Sequence, residues 1–136
     1  MNRELKKAKN LSDKHLMLFL LMNEWVKVKQ QNKSIEGSLL KLGYKRIGIY
    51  GMSYVGQRVF DELVNTSVEI VCCMDQKSGG NYREYEIISV KECPGGMDIV
   101  IVTPIFDYDE IRQQLERSIS AEIISLEEVI YGLSDF

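Results

Sequence analysis

Histidine is almost missing from this sequence: His15 is the only one. A single histidine excludes a His-pair metal site and leaves no convincing nucleophile dyad. Cysteine is sparse too. Cys72 and Cys73 are adjacent, and Cys93 stands alone. That odd number, without a disulfide framework or metal-ligand spacing, predicts three reduced and mostly buried thiols. Only two prolines occur, with no low-complexity tract and no repeat, which argues against a disordered chain. Long apolar runs are absent as well. The longest is "LMLFLLM", Leu16 to Met22, far short of the roughly 20 residues that a bilayer-spanning helix needs. The "NEWVKVKQ" that follows offers no small-residue cleavage site, so no membrane span and no secretion signal are expected, and the expected compartment is the cytoplasm.

What is present suits one soluble domain with a short appendage. The 136 residues are 45% apolar and 27% charged, enough for a sizeable core. The formal charge of −3 conceals an asymmetry. Residues 1–46 carry eleven Lys/Arg against four Asp/Glu, whereas residues 47–136 carry six against sixteen. A basic N-terminal segment can meet nucleic acid, a membrane surface or an acidic partner. The acidic remainder has no second basic patch with interleaved aromatics, so no nucleic-acid partner is expected. The segment is expected to suit its own acidic domain or a second copy, giving a homodimer through the N-terminal helices.

Along the chain, Ser12 is expected to cap a helix from about Asp13 to Gln30, with Leu16, Phe19, Leu20 and Asn23 on one face. Its first half is apolar nearly all round, which calls for burial on more than one side. Ser34 opens a second short helix that Gly43 ends. Residues 1–43 thus form a helical extension and residues 44–136 the main domain. There the pattern becomes strand, helix, strand: "RIGIY", a helix over Tyr54 to Val64, then "VEIVCCMD", continuous enough to be covered on both faces. "YEII" reads as an edge strand, followed by a helical turn at "SVKEC". "DIVIVT" and "AEIIS" are further strands. Asp107 with Glu110, and Ser125 with Glu128, have capping-box spacing before two more helices, the last ending at Gly132. The expected fold is α/β, a Rossmann-like doubly wound parallel sheet of about five strands in the order 3-2-1-4-5.

In such a sheet ligands bind at the carboxyl ends of the strands, where the winding reverses. That place is "GMSYVG". Gly51 and Gly56 match the first and third glycines of G-x-G-x-x-G, and Ser53 replaces the second. Gly51 allows the tight turn, Gly56 lets the helix pack on the strand, and backbone N–H groups from Met52, Ser53, Tyr54 and Val55 would face an anion. Asp75 falls at the end of the second strand, where a carboxylate can accept from a ribose 2′-hydroxyl and disfavours a 2′-phosphate. Thr103 and Pro104, ending the next strong strand, complete the candidate set. The competing reading is that both glycines serve only packing and Asp75 only a turn, with Ser53 taking space that a pyrophosphate would need.

"IGIYGMSYVGQRVFDEL", "EIVCCMDQKSGG", "DIVIVTP" and "IISLEEVI" together resemble the NAD(P)-binding Rossmann superfamily. More narrowly, they look like small Rossmann modules of bacterial surface-polysaccharide biosynthesis proteins, some fused to glycosyltransferases and some the N-terminal domains of nucleotide-sugar dehydratases. The likeness covers Lys45 to about Tyr131. It implies a nucleotide-containing ligand such as NAD, a sugar nucleotide or coenzyme A.

Catalysis has little support. There is no Y-x-x-x-K pair and no P-loop lysine, and the five residues after the last expected helix leave no room for a substrate domain. The protein is expected not to be catalytic on its own. The alternatives are an interaction module whose crevice is empty or plugged by Met52 or Tyr54, a small-molecule methyltransferase, and an enzyme completed by a partner.

Overall fold

A computed structural model describes residues 2–134; Met1, Asp135 and Phe136, the ends of the expected ranges, lie outside the described residues. Apolar runs bounded by turns give six strands. They are β1 (Arg46–Tyr50), β2 (Glu69–Met74), β3 (Asn81–Tyr82), β4 (Tyr85–Ile88), β5 (Ile99–Val102) and β6 (Glu122–Ser125). The helices are α1 (Arg3–Gln30), α2 (Ile35–Lys41), α3 (Tyr54–Leu63), α4 (Tyr108–Glu116) and α5 (Leu126–Leu133), with a 3₁₀ turn at Val90–Glu92. One sheet runs β3-β4-β2-β1-β5-β6, parallel throughout except for the β3–β4 hairpin. The fold is therefore α/β with a mostly parallel sheet. Its order differs from the expected 3-2-1-4-5 through β3, a two-residue antiparallel edge too short to carry a periodic signal.

Alternation along the central strands builds two cores. Ile47, Ile49, Ile99 and Ile101 point to one face, under Trp25 and Val28 of α1, α2, Phe60 and Leu63 of α3, and Ile130 of α5. Tyr50, Met74, Val100 and Val102 point to the other, under Leu115 of α4. From β1 the chain winds through α3 to β2 on one side, and from β5 through α4 to β6 on the other. The winding thus reverses between β1 and β5, and a crevice opens at their carboxyl ends.

Several boundaries depart from expectation. α1 begins at Arg3, not Asp13, because Asn2 accepts from Leu5 N–H at 2.9 Å; Ser12 lies inside the helix. Asp107 precedes α4 without capping it, its backbone (φ −107°, ψ 19°) being outside the extended region that cap residues use. α5 continues through Gly132 to Leu133, whose side chain is buried in the larger core. α1 also lacks the burial expected around it. Only Leu21, Trp25 and Val28 are buried, while Leu16, Phe19 and Leu20 are exposed. Among the described residues, no helix is long and apolar enough to cross a membrane.

Candidate functional site

β1 ends at Tyr50 and turns at Gly51, whose φ of +99° is strained for any residue with a side chain. The turn is clamped. Thr103, buried at the end of β5, donates its hydroxyl to the Gly51 carbonyl at 2.6 Å. Gly56, in the first turn of α3, also approaches so closely that a Cβ there would lie 1.8 Å from the same oxygen. The two glycines therefore set the distance between strand end and helix start.

Asp75 follows β2 and reaches back to this turn. Its Oδ2 accepts from Met52 N–H at 2.7 Å, and its Oδ1 accepts from Lys77 N–H at 3.1 Å. Both oxygens are thereby fixed in direction, and each keeps a lone pair for a further donor. The next three backbone N–H groups, of Ser53, Tyr54 and Val55, have no acceptor among the described residues. Ser53 holds the cap position of α3 but makes no cap bond, and the first turn carries no acid. An uncapped helix start with converging N–H groups favours negative charge.

Beside the turn lies a cleft of about 360 Å³. Of the candidate residues, Gly51, Asp75 and Pro104 line it. Thr103 sits behind it, holding the turn. Met52 is buried in the core, Val55 packs half-buried against that core, and Tyr54 is 84% exposed; neither Met52 nor Tyr54 is among the lining residues, so neither plugs the cleft. Tyr50, Gln76, Asp107, Glu110, Ile111 and Gln114 also line it, and the sequence reading places none of the six in the ligand set. A signal exists, since 110, 111 and 114 share one face of α4 and Asp107 immediately precedes it, but the spacing of the two acids is also that of a capping box. The lining includes three carboxylates and no Lys or Arg. Burial, with the Asp75 charge beside it, pushes the Tyr50 phenol above its usual range.

The paired thiols of β2 offer no nucleophile here. Burial raises Cys72 and Cys73 to about 12, so neither is an effective nucleophile near neutral pH. His15 is exposed on α1. No group of three or more His, Cys, Asp or Glu among the described residues is placed to hold a metal ion.

Residues 43–125 match the family model described as C2185-like, N-terminal. The chain belongs to this family. No curated protein and no solved structure matches the chain. The C2185-like N-terminal segment contains the whole sheet, the glycine turn and Asp75, and it leaves α1, α2 and α5 outside. The cleft is thus built entirely from the C2185-like part.

Proposed function

We propose that this is a Rossmann-like module that binds a nucleotide-containing ligand (NAD, a sugar nucleotide or coenzyme A) at the carboxyl ends of β1 and β5, in service of polysaccharide or nucleotide-sugar metabolism and without catalysing a reaction alone. The observation that carries it is the pairing of Asp75, aimed by two N–H donors, with the uncapped start of α3. Carboxylate oxygens with free lone pairs suit ribose hydroxyls, and the three N–H groups beyond them suit a diphosphate. The two needs are met side by side. Two copies associate through the N-terminal helices, which lie outside the segment that builds the cleft.

One observation favours a second reading. Asp75, Asp107 and Glu110 without a lining cation suit a positively charged ligand, and S-adenosylmethionine has an adenosine ribose, a sulfonium and no diphosphate. That is the methyltransferase alternative. Calorimetry against NAD, NADH, UDP- and GDP-sugars, coenzyme A and S-adenosylmethionine separates the two. The first reading expects a diphosphate-containing ligand to bind and Asp75→Ala to weaken it at least tenfold. Binding of S-adenosylmethionine alone replaces it with the second. No binding at millimolar concentration, or binding indifferent to Asp75→Ala, overturns the site.

A further inference from the structure

α1 is about 42 Å long at 1.5 Å per residue. It buries residues only from Leu21 onward, and its first half meets the domain through little more than Lys14 over the Phe106 ring, 5.7 Å from the centroid. A helix segment of that length is marginal in water without packing. Its outward face is nevertheless patterned. Leu5, Ser12, Phe19 and Val26 stand seven residues apart, and Lys9, Leu16 and Asn23 fall four after the first three. All seven are exposed, Phe19 at 66%. Alternating steps of four and three give the seam of a two-stranded coiled coil.

The polar members of that seam decide what covers it. A lipid surface or an apolar groove gives Ser12 and Asn23 no partner. A second copy running antiparallel does, in one register: Leu16 opposite the second copy's Phe19, Ser12 opposite its Asn23, and Lys9 beside its Val26, where the lysine stem can pack and its ammonium stay in water. Apolar meets apolar, and hydroxyl meets amide. A parallel pair would stack Lys9 on Lys9 and set two basic halves together, since residues 3–14 carry five Lys/Arg against two Asp/Glu. The antiparallel pair moves those halves to opposite ends. Each then lies by the C-terminal half of the other α1 and so by the other copy's acidic domain, residues 47–136, with sixteen Asp/Glu to six Lys/Arg.

We infer that α1 pairs with α1 of a second copy as an antiparallel coiled coil in which Leu16 packs on Phe19 and Ser12 faces Asn23. The orientation rests on the homodimer proposed with the function, and two measurements keep the claims apart. Light scattering on the full chain is expected to give twice 15.7 kDa. Leu16→Glu with Phe19→Glu should halve that mass and keep the thermal transition, because neither side chain enters the protomer core. A wild-type protein that is monomeric across the micromolar range overturns both claims, and sedimentation of that monomer with anionic vesicles would assign the face to a membrane surface. For the orientation, Ser12→Cys and Asn23→Cys proteins, each in a Cys93→Ser background, are oxidised singly and as a mixture. A disulfide-linked dimer formed only in the mixture is the antiparallel result. Dimers cross-linked from each variant alone leave the homodimer standing and overturn the orientation.

Discussion

Ser34 and Ser53 both stand one residue before a helix, both with extended backbone, and the two helix ends are finished differently. At α2, Ser34 accepts from Gly37 N–H at 3.0 Å, and Glu62 reaches across from α3 to accept from Ile35 N–H at 2.8 Å. Glu36 adds an acid in the first turn. At α3, the Ser53 side chain accepts nothing, no acid is near in sequence, and the carboxylate that does arrive, Asp75, bonds the residue before the cap. α5 follows the closed pattern, with Ser125 accepting from Glu128 N–H. α4 also starts without a side-chain cap, but Asp109 and Glu110 stand in its first turn. The open end is the start of α3, with neither cap bond nor acid, where the sheet's winding reverses.

The severest way to break the comparison is to spoil the geometry that places the open end. Gly56→Ala puts a methyl group 1.8 Å from the Gly51 carbonyl oxygen, a backbone atom already held by Thr103. α3 must move off β1 or the turn must open. The expected cost is about 3 kcal/mol or more, read as a fall in the urea midpoint. A variant as stable as the parent would show that the clamp is not what sets α3.

Glu62 tests the closed end. Besides Ile35 N–H it accepts from the Trp25 indole N–H at 2.9 Å, and Lys29 lies 3.5 Å away. Its carboxylate joins α1, α2 and α3. Removing it leaves two part-buried donors unsatisfied, so Glu62→Ala should cost roughly 2 kcal/mol. Glu62→Gln keeps one acceptor oxygen and should lose about half as much. An equal loss for both would mean that charge, not bonding, matters.

The sheet was legible in the sequence because β1, β2 and β5 are buried on both faces and therefore nearly all apolar. Gly51 and Gly56 were legible because their spacing reflects a steric contact, and Asp75 because the end of β2 lies beside the turn, where it accepts from Met52 N–H. β3 was not, since Asn81 and Tyr82 pair with Glu86 and Tyr85 across a two-residue turn, Arg83–Glu84, that lacks the usual Asn-Gly or Asp-Gly. Nor was the acidic wall of the cleft. Asp107 and Glu110 have the spacing of a cap, and only the tertiary fold reveals that their side of α4 faces Asp75. The start of α1 was hidden by a similar ambiguity, Asn2 and Ser12 both being competent caps.

The gentlest substitutions compare the serines directly. Ser125→Ala removes a cap bond and should cost about 1 kcal/mol. Ser53→Ala removes none and should stay within about 0.5 kcal/mol of the parent. Ser53→Asp then sharpens the contrast, because it supplies α3 with the acid that its first turn lacks. A carboxylate there complements the helix dipole and should add roughly 0.5 kcal/mol of stability at neutral pH. It also fills the N–H groups that a diphosphate would use. The same substitution should therefore raise the thermal midpoint and weaken NAD or sugar-nucleotide binding. If stability rises and affinity does not fall, the open end of α3 is an uncapped helix and not a phosphate site. If affinity falls with no gain in stability, Ser53 itself contacts the ligand, and the helix end contributes little.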